Sequence, residues 1–265
     1  MRRIALLSDV HGNLSALEAV LEDIEAAGVI ECYCLGDLVG YGPRPAEVVA
    51  HVRELSIPTV RGNYDDGIGH RRGECGCYYV TQQEKADGAA SYAFTDSSLD
   101  DEDHDWLAAL PDQIRLEHES ARVLLTHGSP RKINEYLLPD RTEAQLARLA
   151  NEARADAVCV GHVHVPYHRS MRAADGHSMV HYVSAGSVGK PKDGDQRACW
   201  VELLLGTEAE LLIPIPGDDA VGRVGQSEVW LGCRTHRLPY DVRSTQQAMI
   251  EAGLPSRLAD ALAEA

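Results

Sequence analysis

The chain has 265 residues, 44% of them hydrophobic and 25% charged, which is the composition of an ordinary soluble protein able to bury a full core. Its 41 acidic residues outnumber its 25 basic residues, and the formal charge of −16 opposes non-specific binding to nucleic acid and to anionic membrane surfaces. The charge does not exclude an anionic substrate, because bound divalent ions can reverse the field at a site.

The amino terminus and the cysteines both bear on where the protein acts. The first apolar run spans only residues 4–7, which is too short for a signal peptide or a membrane anchor. Cys75 and Cys77 lack the two-residue gap of zinc knuckles, so we predict no metal site there. We expect a cytoplasmic protein without a membrane partner. Several other cysteines stand in apolar runs, as buried free thiols of a reducing compartment do, namely Cys32, Cys34, Cys159 and Cys199.

The first quarter of the chain alternates apolar runs with amphipathic stripes. Its order of strand, helix, strand, helix and strand predicts parallel βαβ units in an α/β fold. The predicted elements are a strand at 3–9, a helix at 13–28, a strand at 30–37, a helix of about ten residues ending near Leu55, and a strand at 57–63.

The rest of the chain predicts a second sheet and two helical additions. Residues from about 66 to 110 are acidic and less regular, and we interpret them as a helical insertion beside the site. The stretch from about 240 to 265 is amphipathic and predicts a helical cap on a single domain, 1–265. Between them one helix is predicted at 142–153, among strands at 113–118, 121–128, 156–164, 179–186, 196–205 and 209–216.

Polar side chains follow the predicted strands at their carboxyl ends. Ligands of open α/β sheets bind outside these ends, so the side chains should meet at one rim. Taken singly, each has an ordinary explanation, since aspartate after a strand is often a turn former or a helix cap. The oxygen and nitrogen donors at this rim are Asp9, His11, Asp37, Asn63, His127, His162 and His164.

The segment "VCVGHVHVPYH", residues 158–168, is the clearest of these strand ends. If the strand continued through it, His162 and His164 would project to one side with Cα atoms ~6.6 Å apart, which suits one imidazole per metal ion. Carboxylate, imidazole and amide donors without thiolate suit Mn²⁺, Fe, Zn²⁺ or Co²⁺. So many donors fit two ions that share a carboxylate. Two such ions lie ~3.5–4 Å apart, activate a bridging water and hold a phosphoryl group.

The motifs "DVH", "GDLVGYG", "GNYD", "THG" and "GHVH", in this order, resemble those of the calcineurin-like metallophosphoesterases. "WLAALP", "GSVGKP", "PYDV" and "GLP" are similar to segments of the small cytosolic phosphoesterases of bacteria and archaea, so the resemblance covers nearly the whole chain. It implies a four-layer α-β-β-α sandwich in which two mixed β-sheets are flanked by helices.

The resemblance also implies roles for single residues. Asp37 would bridge two divalent ions, of which Mn²⁺ is expected first and Fe, Zn²⁺, Co²⁺, Ni²⁺ or Mg²⁺ are alternatives. Arg61 matches an arginine that contacts phosphate in the phosphatase branch, and Asn63 would share that contact. One ion would be held by Asp9, His11, Asp37 and His164, and the other by Asp37, Asn63, His127 and His162. The implied catalytic residues are Asp37, Asn63, Tyr64, Asp65 and His127.

Tyr64 departs from the pattern of the family. Many members have a histidine here, which protonates the leaving group or stabilises the phosphorane and is oriented by the acid that follows. A phenol with a pKa of ~10 donates a hydrogen bond but transfers protons poorly at neutral pH. Tyr64 either reaches the phosphoryl oxygen or walls the site, and Asp65 either orients it or caps a helix. Tyr41 and Arg44, in "GYGPRP", are further candidates to face the substrate.

The leading hypothesis is a dinuclear metal-dependent phosphoesterase that hydrolyses small phosphodiesters or nucleotides through a metal-bridging water. The alternative enzyme is a protein serine/threonine or dinucleoside polyphosphate phosphatase, and the composition does not separate the two. A nuclease is disfavoured because no basic stripe is visible. A non-catalytic scaffold on this fold is disfavoured because every ligand position is filled. The expected partner is a small phosphorylated substrate, and a homo-oligomer stays open.

Overall fold

Two mixed β-sheets of five strands each form the centre of the computed structural model, which describes residues 1–211 and 222–264. The strands are β1 (Arg2–Leu7), β2 (Glu31–Cys34), β3 (Gln113–His118), β4 (Ala121–Thr126), β5 (Ala157–Val160), β6 (Pro166–Arg172), β7 (Met179–Ala185), β8 (Ala198–Gly206), β9 (Gly222–Arg223) and β10 (Trp230–Leu238). The first sheet has the order β2-β1-β8-β10-β9 and the second has the order β3-β4-β5-β7-β6.

Helices cover the outer faces of both sheets. They are α1 (Leu14–Ala26), α2 (Pro45–Glu54), α3 (Asn63–Gly69), α4 (Gln82–Ser98), α5 (Asp101–Ala109), α6 (Glu143–Ala153), α7 (Glu208–Leu211), α8 (Val242–Glu251) and α9 (Ser256–Asp260). Several begin at a side-chain cap: Asn13 accepts the N–H of Ala16 at the start of α1, and Thr142 accepts that of Gln145 at the start of α6. Within residues 1–211 and 222–264, no helix has the length and apolar character needed to cross a membrane.

The apolar residues of β1 show how the layers pack. Successive side chains of a strand point to opposite faces, so Ile4 and Leu6 pack between the two sheets while Ala5 and Leu7 pack under the helices. Because both faces of β1 are buried, its sequence is a continuous apolar run rather than an alternating one. In the second sheet, Leu124 of β4 packs outward with the helix α6. The predicted four-layer α-β-β-α sandwich is therefore confirmed.

Some predicted strands differ from the structure for local reasons. The strand predicted at 57–63 is reduced to one bridge between Cys34 and Thr59, because Pro58 has no N–H to donate and the chain enters α3 at Asn63. The strand predicted at 156–164 ends at Val160. Where a strand was predicted at 209–216, residues 208–211 form the short helix α7, and residues 212–216 lie outside the described residues.

The two predicted helical additions hold helices of the structure. The stretch from 66 to 110 contains the end of α3 and the helices α4 and α5. The stretch from 240 contains α8 and α9, and residue 265 lies outside the described part. Leu258 and Met249 of these last helices pack in one apolar cluster against Tyr41 and Phe94. The carboxyl-terminal helices are thereby fixed beside the "GYGPRP" turn at the carboxyl end of the first sheet.

Candidate metal centre

The predicted ligands lie in tight turns that follow the strands. Asp9, His11 and Asp37 have positive φ angles of 54°, 50° and 56°, and His162 and His164 have φ angles of 67° and 59°. This left-handed conformation is rare for residues other than glycine and concentrates at functional sites. The expectation of an extended strand through His162 and His164 is therefore wrong. A turn with two left-handed residues, and not strand alternation, brings both imidazoles to the site.

The first cluster consists of Asp9, His11 and His164, whose ligand atoms lie within 4.8 Å of one another. His164 Nε2 is 3.1 Å from Asp9 Oδ1, and His11 Nε2 is 3.6 Å from the same oxygen. The Nε2 atoms of the two imidazoles are 3.2 Å apart. Each of these side chains is buried, so the cluster is shielded from bulk solvent by the surrounding protein.

The second cluster consists of Asp37, His127 and His162, again with ligand atoms within 4.8 Å. Asn63 joins it, since its Oδ1 atom lies 3.1 Å from His127 Nε2. The Asn63 amide is turned this way because its Nδ2 atom donates to the carbonyl oxygen of Cys75 at 3.0 Å. The seven donors predicted from strand ends therefore divide between two neighbouring groups.

Asp37 connects the two clusters. Its Oδ2 atom is 3.7 Å from His11 Nε2 in the first cluster and 3.5 Å from His127 Nε2 in the second. Its Oδ1 atom accepts the backbone N–H of Tyr64 at 2.8 Å, which fixes the carboxylate plane. One oxygen of Asp37 is therefore directed between the clusters, the position that a shared ligand needs.

Backbone carbonyls orient three of the imidazoles. In each of these rings the Nδ1–H group donates to a carbonyl oxygen, so that in the neutral ring the lone pair of Nε2 is directed at the cluster. The acceptors are Val39 at 3.0 Å for His11, Leu35 at 2.7 Å for His127, and Lys190 for His164.

One ligand atom in each cluster has no hydrogen-bond partner among residues 1–211 and 222–264. These atoms are Asp9 Oδ1 in the first cluster and His162 Nε2 in the second, and both are buried. An unsatisfied buried polar group costs ~1–3 kcal/mol, so the arrangement is unfavourable for the protein alone. Cations in the two clusters would satisfy both atoms, and the residues present therefore fit two metal ions.

The charges of the centre set the protonation of its imidazoles. Burial disfavours charge on His127, but the carboxylates of Asp37 and Asp9 outweigh it and raise the pKa of His127 to about 9. Burial, followed by the charge of His127, lowers the pKa of His162 to about 3. Burial and the neighbouring Lys192 lower the pKa of His164 to about 4. His162 and His164 are thus neutral at physiological pH, as metal ligation requires.

Asp65 lies beneath the centre and binds backbone. Its carboxylate accepts the N–H groups of Asp37 at 2.8 Å, Leu38 at 2.9 Å and Gly62 at 2.9 Å. Burial and the charge of Asp37 raise its pKa to about 6. Gly62 is required there because a Cβ atom would collide with the backbone and carboxylate of Asp37. Asp65 thus joins the turn of Asp37 to the first turn of α3, the capping role named as one of its two alternatives.

Tyr64 is fully buried beside the first cluster. Its ring centroid is 5.6 Å from that of His11 and 4.8 Å from that of Tyr41. Within the described residues its hydroxyl makes no hydrogen bond of ordinary geometry, although the hydroxyl groups of Tyr41 and Ser91 are near. Tyr41, but not Tyr64, lines a cavity beside the two clusters. A catalytic role of Tyr64 stays a prediction.

Arg61 is engaged by its own neighbours. Its guanidinium donates to the carbonyl oxygen of Ala108 at 2.6 Å and to Asp112 Oδ1 at 2.6 Å, and its Nε atom is 3.4 Å from Asp66 Oδ1. A contact with phosphate would require that it leave Asp112, so this role also stays a prediction. Arg44 is exposed at the start of α2.

The residues that line the approach to the centre were not predicted from the sequence. The ring of Tyr136 lies over the imidazole of His162, with centroids 4.0 Å apart. Lys190 and Lys192 line the same cavity, and "GSVGKP" was the signal nearest to them. No pattern in the sequence pointed to Tyr136 or to Arg257, which reaches this cavity from α9.

The cysteines agree in part with expectation. Cys32, Cys34, Cys159 and Cys199 have free thiols, as expected. Cys75 and Cys77 form a disulfide.

Comparisons with known proteins agree with this geometry. The family model of the calcineurin-like phosphoesterase superfamily domain matches residues 1–204. The protein MJ0912 of Methanocaldococcus jannaschii is 32% identical over 211 residues, which covers 74% of this chain and 80% of that protein. The phosphodiesterase YfcE of Escherichia coli is 35% identical over 78 residues, or 26% of this chain and 42% of YfcE.

Two solved structures are similar to this chain over nearly its whole length. A metallophosphoesterase from Sphaerobacter thermophilus is 32% identical with a TM-score of 0.67, over 99% of this chain and 98% of that one. A protein from Pyrococcus horikoshii, at 21% identity and a TM-score of 0.75 over the same shares of 99% and 98%, supports the fold alone.

Proposed function

The chain belongs to the calcineurin-like phosphoesterase superfamily and is a phosphoric ester hydrolase, and on that premise we propose that it hydrolyses small phosphodiesters or nucleotides at a centre of two divalent ions. The observation that carries the proposal is the position of Asp37 Oδ2, which lies 3.7 Å from His11 Nε2 and 3.5 Å from His127 Nε2. A carboxylate directed between two buried ligand clusters is the arrangement that a pair of ions sharing one ligand requires.

The first cluster with Asp37 would hold one ion, and the second cluster with Asn63 would hold the other. We propose Mn²⁺ as the physiological metal, because the donors are carboxylate, imidazole and amide oxygen. Bound there, such ions supply a water of lowered pKa and neutralise charge on the phosphoryl oxygens.

The residues of the chain hold and orient this chemistry. Backbone carbonyls fix the imidazoles of His11, His127 and His164, so little reorganisation accompanies binding of the phosphoryl group. Position 64 offers a buried phenol in place of an imidazole, so a leaving group there receives little help from a proton donor. Esters whose leaving groups depart unaided should therefore react fastest.

We favour this function over the alternatives of a phosphatase for phosphoproteins or dinucleoside polyphosphates and of a scaffold without activity. The convergence of every predicted ligand on two clusters supports a catalyst over a scaffold. We also propose that the enzyme acts in the cytoplasm on a small phosphorylated molecule.

Metal analysis and turnover test the proposal together. The purified chain is stripped of metal, reconstituted with Mn²⁺, Mg²⁺, Zn²⁺ or Co²⁺, and assayed with phosphomonoesters, phosphodiesters and nucleotides. We expect a stoichiometry near two ions per chain, as the two-ion mechanism requires. We also expect bis(p-nitrophenyl) phosphate to be hydrolysed only by the reconstituted protein. A single bound ion, or no phosphoester hydrolysis with any metal, would contradict the proposal.

A further inference from the structure

A cavity of about 540 Å³ opens beside the two ligand clusters. Two of its lining tyrosines contact metal-ligand candidates directly. The ring of Tyr136 lies 4.0 Å from that of His162, and the edge of Tyr41 meets the ring of His11 at 4.9 Å. Its volume is within the ~300–1,000 Å³ of ligand pockets. A molecule whose phosphoryl group reached the clusters from this side would lie along these rings.

The walls of the cavity are rich in aromatic rings. Tyr78 and Tyr79 line it together with Tyr41 and Tyr136, and Tyr78 keeps 77% of its surface exposed. Tyr79 lies close against α4 at Gly88, where a Cβ atom would collide with its hydroxyl. Exposed aromatic faces at the mouth of a site are platforms on which a flat ring, such as a nucleobase, stacks.

Three cationic side chains line the same cavity: Lys190, Lys192 and Arg257. Across the described ranges none of them forms a direct ion pair, although the charges of Asp9 and Asp37 act on the Lys192 ammonium, in a chain whose net charge is −16. The Lys190 ammonium instead lies 4.8 Å from the centroid of the Tyr41 ring. These cations are available to an anionic ligand.

Two carboxylates also line the cavity, and both are engaged by their own helix. Glu84 accepts the backbone N–H of Val80 at 2.7 Å as part of the cap of α4. Asp87 accepts the side-chain amide of Gln83 at 2.9 Å. Both carboxylates therefore already have hydrogen-bond partners of their own.

The cationic residues of the cavity come from two parts of the chain. Lys190 and Lys192 adjoin the centre. The Lys190 carbonyl accepts a hydrogen bond from His164, and the Lys192 N–H donates to the His164 carbonyl at 3.3 Å. Arg257 comes from α9, beyond residue 204 where the match to the family model ends.

We propose that the substrate is an aromatic ring joined to two or more phosphates, of which nucleoside di- and triphosphates are the common form. Its reacting phosphoryl group binds at the clusters, its further phosphates bind Lys190 and Lys192, and its ring stacks on the exposed Tyr78. This assignment rests on the proposed function, and it gives the carboxyl-terminal helix α9 a role in substrate binding through Arg257.

Competition measurements test the assignment. Hydrolysis of bis(p-nitrophenyl) phosphate is followed at a fixed concentration of free Mn²⁺ while ATP, AMP or inorganic tripolyphosphate is added. We expect ATP to inhibit with a Ki at least tenfold lower than that of AMP, which lacks the further phosphates. We also expect the Ki of ATP to be at least tenfold lower than the Ki of tripolyphosphate, which lacks the ring. Equal Ki values for the three would overturn the assignment, whereas absence of diester hydrolysis in the wild type would contradict the proposed function itself.

Matched variants separate the two parts of the subsite. In Lys190→Gln/Lys192→Gln, the advantage of ATP over AMP should fall below threefold while two ions remain bound. In Tyr78→Ser, the advantage of ATP over tripolyphosphate should fall instead. Lys132→Gln, which removes one lysine from a different cavity, is the control and should keep both ratios. If Lys132→Gln lost as much as the double variant, overall charge and not this subsite would explain the binding.

Discussion

The carboxylate of Asp65 holds the turn that carries Asp37: its Oδ2 atom accepts the backbone N–H of Asp37 at 2.8 Å. The same carboxylate accepts two more N–H groups, from Leu38 and Gly62, so three backbone donors converge on one buried side chain. The bridging position of Asp37 is therefore maintained by a residue that makes no hydrogen bond to the imidazoles in the described part of the chain.

Replacement of Asp65 tests this support. In Asp65→Asn, one of the acceptor oxygens becomes an NH₂ group that faces backbone donors, and leaving such donors unpaired costs ~1–3 kcal/mol of stability. We expect the affinity for Mn²⁺ to fall ~10–100-fold, as it does when an outer partner of a metal ligand is lost. Asp66→Asn is the control, because Asp66 forms surface ion pairs with Arg72. Unchanged metal affinity in Asp65→Asn would show that the Asp37 turn holds its shape alone.

Removal of the negative charge of Asp37 should affect both ions. Asp37→Asn keeps the acceptor for the Tyr64 N–H but lowers the charge shared by the two clusters. We expect metal analysis to show loss of at least one ion per chain and kcat/KM to fall by more than about 100-fold.

Arg61→Gln provides the comparison for Asp37→Asn, since Arg61 is paired with Asp112 at 2.6 Å and lies outside both clusters. It should retain both ions and lose less activity. Equal losses of kcat/KM in the two variants, with full metal content in both, would argue against a bridging Asp37.

Metal binding should release a proton from His127. Asp37 and Asp9 overcome the effect of burial and raise the pKa of this imidazole to about 9, above the ordinary value of 6.5, so the metal-free protein carries the proton at neutral pH. The proton stabilises the metal-free fold below pH ~6.5, and that contribution is lost as the pH rises through about 9. A metal ion must displace it, so metal affinity should rise with pH over this window.

Calorimetry measures this proton directly. Titrations of Mn²⁺ at pH 7 in two buffers with different heats of ionisation should differ by the release of about one proton per chain. The exposed His177 lies away from the clusters, so His177→Gln should behave like the wild type. Proton release that persisted undiminished in His127→Asn would assign the proton to another group.

The ligands could be predicted from sequence, but the path of the chain at His162 and His164 could not. Both histidines were assigned from their position after an apolar run, which depends only on the rule that sites form at the carboxyl ends of strands. Strand alternation was then assumed to continue, whereas the backbone turns left-handed at each histidine. Histidine adopts this conformation more often than most residues other than glycine, but still only in a small minority of cases, so its adoption at both positions follows from the packing of the site as a whole.

The strands β6 and β10 were missed because their burial is decided by partners distant in sequence. β10 carries Arg234 and His236, which interrupt the apolar pattern expected of a strand. In the structure Arg234 lies opposite Glu202 of β8, and the side chains of Arg234 and His236 contact that buried carboxylate at 3.2 and 3.4 Å. A cross-strand charge pair thus replaces apolar packing, and only the tertiary structure shows it.

The cavity beside the centre could not be predicted from the sequence for a similar reason. Tyr78 comes from the loop before α4, Tyr136 from the loop before α6, and Arg257 from α9. No local pattern links these positions, because loops bring them together only after both sheets have packed.

The hydroxyl group of Tyr64 should be dispensable for activity. The Tyr64 ring is fully buried beside Tyr41, and its hydroxyl makes no hydrogen bond of ordinary geometry in residues 1–211 and 222–264, although the hydroxyl groups of Tyr41 and Ser91 are near. We expect Tyr64→Phe to keep kcat/KM within about threefold and to be at least as stable as the wild type, because an unpaired buried hydroxyl costs ~1–3 kcal/mol. A marked drop in kcat/KM at unchanged metal content would show that the hydroxyl donates to the phosphoryl group.

The reaction should also depend steeply on the leaving group, because position 64 supplies no imidazole to protonate it. We expect aryl phosphodiesters to react faster than alkyl ones, with kcat/KM falling as the pKa of the leaving alcohol rises. Tyr64→His would restore an imidazole, and general acid catalysis typically contributes ~10²–10⁴-fold, so the slope should flatten most for poor leaving groups. The measurement is kcat/KM over a series of substituted aryl diesters for the wild type, Tyr64→Phe and Tyr64→His. A shallow slope in the wild type that Tyr64→His leaves unchanged would mean that the proton comes from a histidine of the clusters or from bound water.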